Sequence, residues 1–140
     1  MEMGMDFNSI CNEFARILNG KSETQNGSCS VSLHRTFDVQ ILGKDASSVL
    51  EVSVGFQDLD NQGNAINYVE TAVLQEEVPP YVYAAMQQGI IVSAIHNHWL
   101  FTDPPQIMYV HFQSVEPPLQ FAQKMAYAFS QLSSLPVAKG

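Results

Sequence analysis

The sequence predicts an α+β domain in which a mostly antiparallel sheet of about six strands forms one layer and three helices form the other. Three observations support this fold class. Apolar residues recur at helical spacing in three segments, alternating apolar and polar residues mark several strands, and the connections between successive strands are short. Short connections favour antiparallel pairing, because a parallel pair needs a crossover of about a dozen residues or more.

Length, composition and charge restrict the class of protein and its partners. With 46% apolar residues in a chain of 140, residues 1–140 are expected to form one domain with one core. Only 14% of the residues are charged, and 14 acidic against six basic residues give a net charge of −8. No basic surface is available to neutralise phosphates, so neither nucleic acid nor a membrane surface is expected as a partner.

Three segments carry the apolar stripe of an amphipathic helix, with apolar residues three and four positions apart. The stripes predict a first helix over residues 6–19, a short second helix that ends at Gly89, and a last helix that begins at residues 116–118. We expect the first and last helices to bury four large side chains against the sheet, namely Phe14, Ile17, Met125 and Phe129.

Alternation of apolar and polar residues predicts the strands. They cover residues 30–34, 37–41, 50–57, 66–74, 90–98 and 107–113. Residues 21–28 are polar and rich in turn-forming residues, so we expect a loop there. Residues 133–140 are expected to form a frayed tail.

The two cysteines, Cys11 and Cys29, are too few for a disulfide scaffold. We expect them to be two small buried or half-buried thiols, since a free cysteine usually behaves as a small hydrophobic residue. The first six residues contain an acid and no basic region before an apolar run, so no signal peptide is expected. These features favour a cytoplasmic protein.

Three of the four histidines lie on two neighbouring predicted strands. His96 and His98 are two positions apart, so their side chains emerge on the same face of a strand. Antiparallel pairing with the next strand would bring His111 beside them. Three imidazoles are the ligands of many Zn²⁺ sites that keep one position open for water or substrate. We therefore expect a divalent cation, Zn²⁺ by preference, with Glu77 as a fourth ligand or catalytic base.

His-x-His on a strand is only a moderately specific metal signature. Half-buried imidazoles also serve as hydrogen-bonded partners of backbone or carboxylate groups. Three functions therefore stay open at this point. The chain could be a small metal-dependent enzyme, a module that binds or senses a small molecule beside residues 101–106, or a structural domain with a polar histidine cluster.

Three segments together resemble the LppY/LpqO-type family of bacterial domains of unknown function. They are residues 69–78 (VETAVLQEEV), 89–98 (GIIVSAIHNH) and 108–112 (MYVHF). The resemblance implies that the motif positions of that family are occupied here by His96, Asn97, His98, His111 and, before the second helix, Glu77.

The resemblance also bears on ligand binding and on association. Arg35 lies near the Arg-Asp element of the family, and Tyr109 belongs to its Tyr-x-His motif. We assign Arg35, Tyr109 and Asn97 to the binding of a small molecule. Many relatives carry a signal sequence and two copies of the domain, whereas this chain is expected to have no signal and one copy. A homodimer would supply the second copy.

Overall fold

The computed structural model describes residues 6–139 as three helices and ten strands, with single 3₁₀ turns at Ser47–Val49 and Gln75–Glu77. The helices are α1 (Phe7–Ile17), α2 (Val78–Gln87) and α3 (Pro118–Phe129). The strands are β1 (Ser22–Gln25), β2 (Ser28–His34), β3 (Gln40–Ile41), β4 (Lys44–Asp45), β5 (Glu51–Gln57), β6 (Ala65–Leu74), β7 (Ile91–Asn97), β8 (Thr102–Asp103), β9 (Ile107–Glu116) and β10 (Val137–Ala138). The start of the chain, where no signal peptide was expected, lies outside the described residues.

The strands form two antiparallel sheets. The large sheet has the order β1-β2-β5-β6-β9-β7, with β10 also paired to β2, and a small sheet has the order β4-β3-β8. All three helices pack on one face of the large sheet, so the predicted two-layer α+β architecture is confirmed. None of the helices in residues 6–139 is long and apolar enough to cross a membrane.

The main core fills the space between the helices and the large sheet. Phe14 of α1 and Met125 and Phe129 of α3 are buried there as predicted, whereas Ile17 is only partly buried at its margin. A second, smaller core lies where the small sheet covers one end of the opposite face. The rest of that opposite face stays open, and we call it the open face.

Residues 21–28 form a hairpin, so the predicted loop is wrong. Ser22–Gln25 pair antiparallel with β2 across a two-residue turn at Asn26 and Gly27. Both turn residues have positive φ, 50° and 81°, which is the backbone of a type I′ hairpin turn. Asn-Gly is the usual sequence for such a turn. The strand itself gives no apolar alternation, because β1 lies at the sheet edge and its residues are polar.

Residues 133–139 are not a frayed tail. Ser133 donates its backbone and side-chain hydrogens to Glu77 Oε2, and Val137–Ala138 form β10 beside β2. Few apolar residues mark this segment, so its order depends on distant partners that local patterns do not reveal.

Cys11 and Cys29 form a disulfide bond, so the expectation of two thiols is wrong. The bond joins α1 to β2, and both residues are completely buried in the main core. Packing of α1 on β2 brings the two sulfurs together. The spacing of two cysteines along the chain does not contain that information.

Within residues 6–139, one ion pair is buried on both sides, between Arg35 and Glu77. Arg35 Nη1 and Nη2 lie 2.9 and 2.7 Å from the two carboxylate oxygens, and Nη1 also donates to Ala72 O. Burial alone would raise the pKa of the Glu77 carboxyl. Hydrogen bonds from Arg35, Ser133 and the Leu74 amide outweigh it and lower the pKa to about 2.

Replacing Glu77 by Gln is expected to destabilise the fold by about 3–5 kcal/mol, because the buried Arg35 guanidinium loses its counter-charge. Urea unfolding followed by circular dichroism measures the loss. The control is Glu13→Gln, which breaks the exposed Glu13–Arg16 pair on α1 and should leave the unfolding midpoint unchanged. Equal midpoints for the wild type and Glu77→Gln would contradict a stabilising role for the pair.

The same pair predicts acid sensitivity. Since the pKa of Glu77 is lowered from 4.5 to about 2, its stabilisation is complete above about pH 4.5 and is lost as the pH falls towards 2. The free energy of unfolding of the wild type should therefore decrease more steeply through this range than that of Glu77→Gln. Parallel pH profiles of the two proteins would show that Glu77 does not supply the acid-sensitive stabilisation.

The Cys11–Cys29 bond predicts that a thiol reagent labels the unfolded chain only after reduction. Reduction should lower the free energy of unfolding by about 3 kcal/mol, because the bond closes a loop between cysteines 18 positions apart. The double variant Cys11→Ser/Cys29→Ser should not respond to the reductant. Labelling of unfolded, unreduced protein would refute the bond.

Candidate functional site

Polar side chains follow one another across the middle of the open face. Ser53 of β5 pairs in register with Glu70 of β6, and Glu70 pairs with His111 of β9. Glu70 Oε2 lies 3.6 Å from His111 Nε2, and both side chains are partly exposed to solvent. A carboxylate and an imidazole therefore meet on a rigid central pair of strands.

His96 of the neighbouring strand β7 and His98, which directly follows that strand, extend this row. His96 Nε2 lies 2.9 Å from His111 Nε2, in a hydrogen bond in which one ring donates and the other accepts. The His98 ring centroid lies 4.7 Å from that of His96. We refer to His96, His98, His111 and Glu70 together as the histidine cluster.

A β-bulge in β7 turns His96 onto the open face. Ile91 pairs with Gln113, but beyond an irregularity between Val92 and Ala94 it is Ala94 that lies opposite His111. His96 then lies opposite Tyr109 and diagonal to His111. With regular pairing from Ile91 onward, the alternation of side chains would point His96 towards the helices instead. Re-aiming a side chain next to a site is a common role of bulges.

Tyr109 lies beneath the histidine cluster and connects it to the second core. Its ring centroid is 4.5 Å from that of His98, and its hydroxyl donates to Val49 O at 2.5 Å. Burial raises the pKa of the Tyr109 hydroxyl, so this group keeps its proton at neutral pH. The residue assigned to ligand binding thus supports the imidazole rings from below.

A cleft of about 410 Å³ opens beside the histidine cluster. Trp99 and Tyr109 provide aromatic walls, and Glu51 and Glu70 place carboxylates in the lining. The volume is in the range of small-molecule sites, about 300–1,000 Å³. A larger depression of about 660 Å³ beside the β1–β2 turn contains none of the histidines, so the smaller cleft is the candidate site.

Glu77 and Arg35, expected at the site, are bonded to each other in the interior. Glu77 is only 4% exposed and Arg35 1%. The hydrogen-bond partners of the Glu77 carboxylate are Arg35, Leu74 and Ser133, with no histidine among them. The structure therefore does not bring Glu77 to the histidines, and Glu70 is the carboxylate beside them.

The remaining candidates flank the histidine cluster. Asn97 is the exposed last residue of β7, and its carbonyl oxygen lies 3.3 Å from His96 Nδ1. The fourth histidine, His34, is not part of the cluster and lies on β2, opposite Glu51 in register.

The sequence interpretation did not select Glu70. Its place between buried residues of β6 indicates the open face, but only the β6–β9 register puts it beside His111. Among the side chains of residues 6–139, no group of three or more His, Cys, Asp and Glu is arranged so that it could hold a metal ion.

Comparison with known proteins identifies a family. Neither the curated proteins nor the solved structures gave a significant match. The sequence profile of the family described as Domain of Unknown Function (DUF1259) matches residues 12–131. The match spans most of the chain and includes every residue of the histidine cluster. The chain therefore belongs to the DUF1259 family of domains of unknown function.

Proposed function

We propose that the histidine cluster binds a divalent cation, Zn²⁺ by preference, and presents it to a small molecule in the adjacent cleft. The spacing of the donor atoms carries this proposal. A tetrahedral site with bonds of about 2.0–2.1 Å separates two donor atoms by about 3.3 Å. The distances from His111 Nε2 to His96 Nε2 and Glu70 Oε2, 2.9 and 3.6 Å, lie on either side of that value. Metal binding would have to displace the proton between the two imidazoles and turn both rings towards the ion, because the side chains of residues 6–139 form no ready-made metal site.

The hydrogen bond between His96 and His111 supports the same proposal. The hydrogen bond brings two imidazole nitrogens to one point, and a cation bound there would replace the proton that they share. Asn97 O lies within reach of His96 Nδ1, and a proton held there leaves His96 Nε2 with a free lone pair. His98 is exposed, so a change of rotamer can add its nitrogen to the set.

The charge of the protein also favours a cation at this place. The chain carries a net charge of −8, and Glu51 and Glu70 both line the cleft. Imidazole with carboxylate is a typical donor set for Zn²⁺. With His96, His111 and Glu70 bound, a fourth position is available to His98 or to an oxygen atom of a molecule in the cleft. A cation in that position can polarise such an oxygen.

A second candidate function is the binding of a small molecule without a metal. The cleft itself favours it, because Trp99, Tyr109 and two carboxylates combine apolar walls with a few polar groups. In that case the His96–His111 hydrogen bond and the Glu70 contact are structural. Zinc titration distinguishes the two functions, because only the first requires a bound metal.

We also propose a compartment and a subfamily for this protein. A buried disulfide bond favours an oxidising compartment over the cytoplasm expected from the sequence, since cytosolic thiols are kept reduced. The Ile-His-Asn-His and Met-Tyr-Val-His segments support membership of an LppY/LpqO-type branch.

The metal site predicts that the wild type binds one Zn²⁺ per chain after removal of metal with a chelator. Isothermal titration and elemental analysis measure the binding. His96→Ala and His111→Ala should weaken it by about 100-fold or more, and His98→Ala by about tenfold, because the first two nitrogens are already adjacent. Protons compete for imidazole nitrogen, so affinity should fall on acidification.

His34→Ala is the matched control, since it removes a histidine from the same face without touching the histidine cluster. Trp99, the only tryptophan of the chain, lines the cleft and gives a second readout. Addition of Co²⁺ should quench its fluorescence in the wild type and in His34→Ala, but not in His96→Ala. If His96→Ala and His34→Ala bind metal equally well, the proposed site does not exist.

A further inference from the structure

The segment from Val78 to Thr102 differs in charge from the rest of the chain. It contains no Asp, Glu, Lys or Arg, although 14% of all residues are charged. The segment forms α2, the strand β7 and the turn that follows it. On a protein with a net charge of −8, it provides the longest uncharged surface along the chain.

The same segment exposes large apolar side chains. Tyr83 and Met86 of α2 are 65% and 59% exposed, and Ile91 and Ile95 of β7 are 57% and 43% exposed. Helix α2 contacts β7. Ile91 pairs with Gln113 on the open face and Ile95 with Val110 on the helix side, so the two isoleucines border the free edge of β7 from opposite faces of the sheet. We call Tyr83, Met86, Ile91 and Ile95 the β7 edge surface. Exposed apolar side chains on and beside a free strand edge favour an interaction site.

The free edge of β7 can pair with a further β-strand. In the sheet order β1-β2-β5-β6-β9-β7, the strand β7 is the last member and pairs only with β9 within residues 6–139. Its other side presents unpaired N–H and C=O groups, which a further strand can satisfy. Lysine and proline, which often prevent such pairing, are absent from β7, and its bulge between Val92 and Ala94 leaves Ala94–Asn97 as the regular part of the free edge.

We propose that the β7 edge surface is the interface of a symmetric homodimer, in which β7 of one copy pairs antiparallel with β7 of another. An antiparallel strand pair about a two-fold axis is self-complementary, so each copy supplies the same backbone and apolar groups. Two chains that each carry a charge of −8 repel each other, and this repulsion is weakest where neither surface is charged. Interface centres are likewise depleted of charged residues.

The dimer is tested with the full chain by sedimentation and light scattering over a range of concentrations, with and without a chelator. The wild type should be dimeric at micromolar concentration whether or not metal is present. Ile95→Lys and, separately, Ile91→Lys should raise the dissociation constant by about tenfold or more, because each places two like charges in the interface. The control is Leu135→Lys, which adds the same charge at a residue 55% exposed outside the β7 edge surface.

Hydrogen exchange gives an independent readout. Amide hydrogens of β7 should exchange more slowly at high protein concentration in the wild type and in Leu135→Lys, but not in Ile95→Lys. A wild type that stays monomeric at high micromolar concentration overturns the proposal, as does a dimer that both β7 variants leave unchanged. A monomer that binds zwitterionic lipid vesicles through these residues also overturns it and assigns the surface to a membrane.

Discussion

The buried ion pair between Arg35 and Glu77 holds together parts of the chain that are far apart in sequence. Arg35 follows β2 and Glu77 precedes α2. Their remaining partners are Ala72 and Leu74 of β6 and Ser133 and Ser134 after α3. Buried charges are tolerated only where their hydrogen-bonding groups have partners. Nearly all hydrogen-bonding groups of Arg35 and Glu77 have one. Arg35 Nε, which has no partner, is the exception. The pair therefore requires one arrangement of these segments, and it fixes the end of the strand that carries Glu70.

Much of the fold could be predicted from local patterns, whereas parts that depend on distant partners could not. The apolar stripes that contain Phe14 and Met125 indicate helices, because a helix with one buried face needs an apolar residue every three or four positions. The strand β10 and the bond between Cys11 and Cys29 have no periodic signal in the sequence, since both form through contact with the distant strand β2. The hairpin of β1 is an intermediate case, because Asn26-Gly27 is a recognisable local signal in an otherwise polar segment.

The candidate site could likewise be predicted only in part from the sequence. The proximity of His96 to His111 follows from the short connection between two paired strands, whereas the bulge that turns His96 onto the open face is not visible in the sequence pattern. The partnership with Glu70 needs the order of β6, β9 and β7, which local patterns do not contain. Glu77 has a suitable carboxylate, but its burial beside Arg35 gives it a structural role. A carboxylate near a helix start is equally consistent with catalysis and with an internal ion pair until its partner is known.

The strand β7 connects the proposed metal site with the proposed dimer. Its bulge directs His96 to the open face, while Ile95 lies next to it along the uncovered edge. An edge strand held by one neighbour is among the more easily opened parts of a sheet, and donor atoms bind a cation well only when their positions are held closely. Pairing of β7 with a second copy would restrict the strand from its free side. Dimer formation would then strengthen metal binding without contributing a ligand, through the rigidity of the strand that carries His96.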